Sequence, residues 1–404
     1  MRIAFLNPSG TIGGAERVLL DLLRGIRALE PDWELFVIVA GEGDLDEEVT
    51  KLGVTCAIVP FPVGVTLLGD ADVGGRSGQK PHKARIVVAL PSVVRYVAQL
   101  RRILSQYRPA VVHTNGLKMH ALGALAKPAG CSVVWHMHDY ASSRPVMAPV
   151  LRFLSPRCAL GIANSHSVAA DLRAICGIRI PIRTIMNGVD LMAFRPEGPT
   201  MDLKENREDA PSDPVAVKFG LVATMAPWKG HSVFLRAVAL VHRSVPIAAY
   251  IIGGPIYATS TEQENLGSLK EMATSLGVSD RVFFTGYVRD VASAMRALDV
   301  IVHASTRPEP FGLVIVEAMA TGRPVIVSPL GGAAEIVAEG SFAACANPGD
   351  AVSLAAQITR LALDADLRQS MGKSARAEAE RRFDARAFSK SFVEAYKALA
   401  PLHN

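Results

Sequence analysis

The sequence predicts an α/β protein of two doubly wound domains that face each other across a cleft. Short runs rich in valine and isoleucine recur along the 404 residues, and helical segments with one apolar stripe separate them. One polar stretch then divides the chain, and the same alternation begins again after it. Half of the residues are hydrophobic, and a chain of this length fits two cores better than one.

Strands and helices alternate through the first half. Residues 15–29 form a helix, because Val18, Leu19, Leu22, Leu23 and Ile26 recur with helical spacing. Strand plus helix plus strand implies a parallel sheet covered on both faces. The predicted strands of this half are RIAFLN (2–7), ELFVIVA (34–40), VTCAIVPF (54–61), AVVHTN (110–115) and SVVWHMH (132–138).

The second half repeats this pattern after a polar segment, EGPTMDLKENREDAPSDP, which we interpret as a linker over residues 197–214. The first domain is therefore residues 1–196 and the second is residues 215–382. Another polar stretch, residues 67–85, is expected to be a surface loop of the first domain. The predicted strands of the second half are VAVKFGLVA (215–223), AAYIIGG (248–254), RVFFTG (281–286), VIVHAS (300–305) and RPVIVSP (323–329).

Composition excludes several classes of protein. A net charge of +5 is a mild excess, which fits a phosphate-bearing substrate but not nucleic acid. Five dispersed cysteines without a CxxC pair argue against a disulfide frame or a zinc site. The chain opens on a strand, and no apolar run is long enough to span a bilayer. We expect a cytoplasmic protein, attached at most peripherally to the inner face of the membrane.

Glycines follow the first predicted strand, in GTIGGAERV. Gly10, Gly13 and Gly14 allow a ligand to approach the backbone, and the following helix offers free N–H groups to an anion. The spacing is not GxGxxG, so a dinucleotide signature is weak, and a tight turn without a ligand is an equal alternative.

Two carboxylates mark the segment RPEPFGLVIVEAMATGRPVIV. Glu309 lies in a proline-rich loop after a strand, and Glu317 lies in the second turn of the helix that follows. The amides of Phe311, Gly312 and Leu313 are first-turn donors, suited to a phosphate or a sugar hydroxyl. Carboxylates repel phosphate but accept from diols, so the set fits a nucleotide-sugar.

At these residues the sequence resembles the retaining glycosyltransferases of family four, which have the GT-B fold of two Rossmann-like domains. The resemblance extends over nearly the whole chain. It is carried by PEPFGLVIVEAMATGRPVI with its Glu-x7-Glu spacing, and by GGAERVLL, HDY (138–140), NGVDLMAF (from 187), PWKGH (from 227) and FTGYV (from 284). It implies a hexosyltransferase that acts in glycan, glycolipid or polysaccharide biosynthesis. Neither crevice loop contains an Asp-x-Asp motif, so we expect that no metal is required.

The resemblance also implies partners. The donor is a UDP- or GDP-linked sugar held by the second domain, and no other cofactor is expected. The acceptor is a glycan, a lipid-linked or a small molecule held by the first domain. The last helix, residues 383–404, packs back onto that first domain.

Roles follow from the resemblance position by position. Glu317 accepts from the ribose hydroxyls and Glu309 contacts the transferred sugar, beside the amides of Phe311, Gly312 and Leu313. Lys229 neutralises the diphosphate. The remaining positions are Gly13 and Gly14 near the phosphates or acceptor, the backbone of Val288 near the base, and His138 near the anomeric centre.

Two positions leave alternatives open. His136 lies two residues before His138, on the same strand face, and competes with it for the catalytic role. Thr224 stands where the family commonly has an arginine five positions before the lysine, and Arg17, Arg289 or Arg307 could compensate. The missing arginine keeps a catalytically inactive nucleotide-sugar-binding protein open as an alternative.

Two alternative enzyme classes also share this architecture. A sugar-nucleotide epimerase would turn over the donor without an acceptor. A nicotinamide or flavin oxidoreductase would use paired α/β domains, but its fingerprint is absent from the sequence.

Overall fold

The computed structural model describes residues 1–66, 83–203, 216–254, 265–338, 340 and 342–400. Within these ranges the chain divides into two compact units. The first unit contains residues 1–188 and 385–404, and the second contains residues 189–384. Most of the polar stretch 67–85, and residues 204–214 of the predicted linker, lie outside the described residues.

The first unit is built on a seven-stranded parallel sheet in the order β3-β2-β1-β4-β5-β6-β7. Its core contains Leu6, Ile38, Val112 and Trp135 from neighbouring strands. The strands are β1 Arg2–Asn7, β2 Glu34–Val39, β3 Thr55–Ile58, β4 Val111–Asn115, β5 Ser132–Met137, β6 Leu160–Ala163 and β7 Ile182–Thr184.

The helices of this unit cover the sheet. The apolar stripe predicted for the first helix is confirmed, since Val18, Leu19, Leu22, Leu23 and Ile26 are all buried. These helices are α1 Gly14–Leu29, α2 Asp44–Lys51, α3 Val63–Thr66, α4 Lys83–Tyr107, α5 Leu117–Ala126, α6 Met147–Leu154 and α7 His166–Cys176.

The second unit has a six-stranded parallel sheet in the order β10-β9-β8-β11-β12-β13. Phe219, Ile251, Val302 and Ile326 belong to its core. The strands are β8 Val217–Val222, β9 Ile247–Ile252, β10 Val282–Gly286, β11 Val300–His303, β12 Val325–Val327 and β13 Ala343–Cys345. The helices are α8 His231–Leu240, α9 Leu266–Ser275, α10 Val291–Arg296, α11 Leu313–Ala320, α12 Gly332–Val337, α13 Ala351–Leu363 and α14 Ala365–Arg382.

The last helix, α15 Ala385–Leu399, belongs to the first unit, where it packs against α1. The limit between the units, after Gly188, precedes the predicted one at residue 196. The intervening chain is fixed to the second unit by the guanidinium groups of the buried Arg296 and the partly buried Arg376. Arg296 donates to the carbonyls of Ala193 and Arg195, and Arg376 donates to that of Phe194.

In each sheet the order of the strands along the chain reverses at one point. In the first unit the chain order reverses between β1 and β4, and in the second it reverses between β8 and β11. Open α/β sheets hold their ligands at such reversal points, outside the carboxyl ends of the strands. A ligand site is therefore expected separately in each unit, in the loops after β1 and β4 of the first and in the loops after β8 and β11 of the second.

Candidate functional site

The loops after β8 and β11 meet at an ion pair. Lys229 Nζ lies 2.9 Å from both carboxylate oxygens of Glu309. Lys229 ends a short 3-10 turn, Pro227–Lys229, and its ammonium lies 4.0 Å from the centre of the Trp228 ring. The structure thus brings together two predicted site residues that are 80 positions apart.

Close backbone packing holds these loops. Gly230 has φ +81°, and a Cβ there would lie 2.0 Å from the carbonyl oxygen of Ala304, so only glycine fits. Thr306 N–H also donates to the carbonyl of Trp228 at 2.8 Å. Because the turn is fixed on both sides, the Lys229 ammonium has a defined position.

Glu309 is buried, with 7% of its surface exposed, and it is surrounded by donors. Ser305 Oγ donates to Glu309 Oε2 at 3.0 Å, and His303 Nε2 lies 3.2 Å from the same oxygen. Burial alone would raise the pKa of Glu309, but the Lys229 charge and the His303 hydrogen bond outweigh it and hold this pKa well below its ordinary value. Glu309 is therefore a carboxylate whose oxygens are engaged within the protein.

Helix α11 begins at Leu313, shortly after Glu309 in the sequence. Gly312, with φ +106°, precedes its first residue, and the amides of Phe311, Gly312 and Leu313 donate to none of the residues that the structure describes. The Phe311 side chain is buried against the Phe383 ring, so only its backbone is available for a ligand. The sequence predicted that these first-turn donors contact a phosphate or a sugar hydroxyl, and that contact stays a prediction.

The other predicted residues of the second unit lie on the same sheet edge. Thr224 follows β8, and the neighbouring Met225 N–H donates to the carbonyl of Gly254, after β9, at 3.4 Å. Val288 follows β10 and is half-buried. Glu317 is half-buried in the second turn of α11. Their contacts with a ligand stay predictions, as does the compensation proposed for the missing arginine at Thr224.

In the first unit, a chain of buried polar side chains lies at the ends of β1 and β4. Asn7 Nδ2 donates to Glu16 Oε1 at 3.1 Å, and Asn115 Nδ2 donates to Asn7 Oδ1 at 3.4 Å. His138 Nε2 lies 3.3 Å from Asn115 Oδ1. Thus His138, predicted as catalytic, is anchored at the reversal point of its own sheet.

Gly13 and Gly14 stand at the start of α1, as expected, but their surroundings differ from a simple anion site. The Gly13 N–H donates to Glu16 Oε2 at 3.0 Å, and burial raises the pKa of Glu16. A phosphate that used the Gly13 amide would have to displace this carboxyl group. Gly14 is the first residue of the helix, and its contact with the phosphates or the acceptor stays a prediction.

The structure separates the two candidate histidines. His136 lies inside β5 and is 1% exposed, with Nε2 unpartnered among the described residues and its ring packed on Phe392. His138 lies one residue beyond the strand and is half-buried, and burial lowers its pKa to about 4. A neutral, partly open ring beyond a strand suits a substrate contact better than a ring inside the core.

Sequence reasoning missed the residues that orient the predicted ones. They are His303 and Ser305 around Glu309, and Asn7, Glu16 and Asn115 behind His138. His113 and Tyr396 lie farther along the same hydrogen-bond network and do not orient His138. One signal was present in the sequence, because Asn7 and Asn115 are polar residues at the carboxyl ends of predicted strands. Such positions face the ligand edge of a parallel sheet.

Two domain families match the chain, one in each half. The Glycosyltransferase Family 4 model matches residues 12–192, and the Glycosyl transferases group 1 model matches residues 203–378. Each half of the chain is therefore similar to a glycosyltransferase domain family.

Solved structures share this fold over the full chain. HepE from Anabaena, in complex with UDP-glucose, is 26% identical, with a TM-score of 0.79 over 98% of this chain and 100% of that chain. A glycosyltransferase from Rickettsia africae has 21% identity and a TM-score of 0.77 over 99% of each chain. The two parallel sheets are thus the two Rossmann-like domains of the GT-B fold.

Curated relatives match over shorter lengths. A D-inositol 3-phosphate glycosyltransferase from Corynebacterium urealyticum is 33% identical over 59% of this chain and 56% of its own length. Sulfoquinovosyl transferase SQD2 from Arabidopsis thaliana is 25% identical over 76% of this chain and 60% of its own. The chain thus spans a little more than half of these two relatives.

Proposed function

We propose that this protein is a retaining hexosyltransferase that moves a sugar from a nucleotide-sugar to a hydroxyl acceptor in glycan or glycoconjugate biosynthesis. One observation carries the proposal: a partly buried Lys229–Glu309 pair lies close in sequence to three amides that donate to none of the described residues. The pair lies at the point where the strand order reverses, in the half of the chain that matches a glycosyltransferase domain. A cation and free N–H groups suit a diphosphate, and carboxylates suit sugar hydroxyls.

The donor proposed is a UDP- or GDP-linked sugar. Glu317 accepts from the ribose, Lys229 meets the diphosphate, and the Val288 backbone borders the base. The HepE complex with UDP-glucose supports a uridine nucleotide, since that chain matches over its whole length. Lys229 donates to both Glu309 oxygens and Ser305 donates to Oε2, so a sugar hydroxyl shares this carboxylate with donors of the protein.

The proposed reaction is a front-face displacement. The bond from the anomeric carbon to the β-phosphate oxygen breaks, and Lys229 with the α11 amides stabilises the charge on the leaving diphosphate. That phosphate oxygen takes the proton of the acceptor hydroxyl, whose oxygen bonds to the anomeric carbon on the same face. Configuration is retained without a protein nucleophile, so the two glutamates do not act as a glycosidase pair.

A thermal-shift panel with UDP-, GDP-, ADP- and dTDP-sugars, followed by product analysis with each stabilising donor, tests this proposal. A ligand that binds only the folded state raises Tm by mass action. We expect one nucleotide class to stabilise the protein and its sugar to appear on an acceptor. Donor interconversion without an acceptor would indicate an epimerase, and binding without any turnover would indicate an inactive binding protein.

Replacing Glu317 by Gln should weaken nucleotide binding about 10–100-fold. A neutral amide oxygen accepts diol protons less well than a carboxylate, and hydrogen bonds to charged groups contribute about 1.5–3 kcal/mol. Calorimetry of the free nucleotide measures the effect, with Glu271→Gln on the exposed face of α9 as control. An unchanged Kd for Glu317→Gln would remove Glu317 from the nucleotide site.

Metal removal should leave transfer intact. The proposed positive charge at the diphosphate comes from Lys229 and the α11 amides rather than from a bound cation. The measurement is the initial rate before and after EDTA treatment, with Mg²⁺ added back. Loss of activity that Mg²⁺ restores would show that a cation is part of the reaction.

We also propose peripheral contact with an anionic membrane through α4. On this helix Leu90 and Val94 are 58% and 61% exposed, beside exposed Arg95, Arg101 and Arg102. Apolar side chains among basic ones fit an anionic bilayer surface. No helix in the described ranges has the length and apolar character needed to cross a membrane.

Charge reversal tests this contact. Arg101→Glu with Arg102→Glu should weaken binding to phosphatidylglycerol-containing vesicles at least about tenfold, since each basic residue near the surface contributes about 1 kcal/mol. Arg236→Glu with Lys270→Glu, at exposed positions of the second unit, is the control. Equal vesicle binding by both double variants in a sedimentation assay would exclude α4 as the contact.

A further inference from the structure

The direction of every hydrogen bond behind His138 can be derived from one carbonyl. Asn7 Nδ2 lies 2.7 Å from the carbonyl oxygen of Ser9, which can only accept. The amide orientation of Asn7 is therefore fixed, with its nitrogen toward Ser9 and Glu16 and its oxygen toward Asn115.

The fixed oxygen of Asn7 determines the orientation of Asn115. Because Asn7 Oδ1 only accepts, Asn115 must present Nδ2 to it and turn Oδ1 to the opposite side. There Oδ1 lies 3.1 Å from His113 Nε2 and 3.3 Å from His138 Nε2. An amide oxygen can accept from both rings only if each ring carries its proton on Nε2.

The contacts at the other end of this hydrogen-bond network agree with the assignment. With its proton on Nε2, His113 has a bare Nδ1, and Tyr396 Oη lies 2.7 Å from that atom, where it donates its proton. Both groups are fully buried, so each needs this partner. Each donor in this network therefore has an acceptor next to it. Tyr396 of α15 donates to His113, and both His113 and His138 donate to Asn115. Asn115 donates to Asn7, which donates to the carboxyl group of Glu16.

We infer that Asn7 and Asn115 are positioning residues that hold His138 as the neutral Nε2–H tautomer, with Nδ1 left as a bare hydrogen-bond acceptor. Among the described residues no donor contacts Nδ1, and the ring is partly exposed. His138 then meets its substrate as an acceptor from a hydroxyl group and not as a cation. This functional consequence rests on the proposed function, whereas the tautomer assignment does not.

A neighbouring histidine provides an internal contrast. Thr114 Oγ1 donates its one proton to the carbonyl of Val134 at 3.0 Å, so it accepts from His120 Nδ1 at 2.7 Å. His120 is then the opposite tautomer, with a bare Nε2 that has no partner in the described part of the chain. His120 and His138 should therefore give opposite patterns in one sample.

The first experiment is ¹⁵N NMR of the imidazole rings in the full-length labelled protein at pH 7, with His138→Gln and His120→Asn used for assignment. We expect the proton of His138 and His113 on Nε2 and that of His120 on Nδ1. A proton on Nδ1 of His138 would overturn the inference. Because no substrate is needed, failure of the proposed function would leave this result readable.

The second experiment replaces Asn115 by Asp, which puts a carboxylate beside both rings. Among the described residues, the rings of His136, His113 and His120 also lie close enough to His138 to interact with its charge. Asp139, next in the sequence, lies 4.0 Å from Arg144. The new charge should raise the His138 pKa by about 1–3 units, so that Nδ1 takes up its proton at a correspondingly higher pH. The acidic limb of the kcat profile should move upward by the same amount.

Tyr396→Phe is the matched control, because it removes a hydroxyl from the far end of the same network and leaves Asn115 in place. Its His138 tautomer and pKa should equal those of the unmodified protein. A folded Asn115→Asp protein with an unchanged His138 titration would contradict the role of Asn115. If the His138 pKa shifts but the kcat profile does not, the inferred hydrogen-bond network is supported and the assignment of His138 to the reaction is wrong.

Discussion

Replacing His138 with Ala is expected to lower turnover by about 10²–10⁴-fold and to leave nucleotide affinity nearly unchanged. The proposed grip on the nucleotide lies in the second unit, whereas His138 belongs to the first. A side chain that acts only in the transition state lowers kcat and kcat/KM together. The measurement is product formation with the identified donor and acceptor, beside calorimetry of the free nucleotide.

His136→Ala is the comparison for this prediction, with a smaller expected loss of turnover. His136 is packed on Phe392 and His113 inside the core, so its removal should act mainly on stability. A thermal melt separates the two effects. Full turnover in His138→Ala with a large loss in a stable His136→Ala protein would show that the other histidine of the pair carries the reaction.

The second large effect is expected for Lys229→Met. Loss of the ammonium should reduce turnover by about 10²–10³-fold, because the leaving diphosphate loses a preorganised charge. Binding of UDP should weaken, and binding of the nucleoside uridine, which has no phosphate, should stay the same. If the donor proves to be a GDP-sugar, GDP and guanosine replace them. Equal losses for nucleotide and nucleoside would mean that Lys229 acts on the fold and not on the phosphates.

The same substitution should also destabilise the second unit. Without Lys229, Glu309 is a buried charge that lacks its main partner, and breaking such a pair costs about 3–5 kcal/mol. Adding Glu309→Gln removes the stranded charge, so the double variant should recover most of the stability in urea unfolding. Its turnover should stay low, which separates the structural role of the pair from its role with substrate.

Local patterns were enough to predict much of this protein. Several elements follow from spacing and from glycine and proline positions. They are the stripe of α1, the strands around residues 2–7, 110–115 and 132–138, and the start of α11, expected within residues 311–313 and found at Leu313. These features depend on neighbours within a few residues, where periodicity and backbone preference act. The Glu309 to Glu317 segment was recognisable for the same reason, since its loop and helix are continuous in sequence.

Contacts between distant segments were beyond such patterns. The Lys229–Glu309 bond joins loops 80 residues apart, and the Asn115–Asn7 bond spans 108 residues. The sequence placed Lys229 at the phosphates and Glu309 at the sugar, but it gave no sign that each neutralises the other. That proximity depends on the order of the strands, which sets β8 beside β11 and β1 beside β4.

The sequence by itself thus determined the class of fold and the types of residue at the strand ends, because hydrophobic periodicity is local and repeats at every element. Only the tertiary structure decided which of those residues touch. It paired Lys229 with Glu309 and surrounded that carboxylate with His303 and Ser305. It also brought Tyr396 into hydrogen-bond contact with His113, which lies 283 residues away in the sequence. The physical reason is that a buried polar group must find a partner, and strand order, not sequence distance, determines which partner lies within reach.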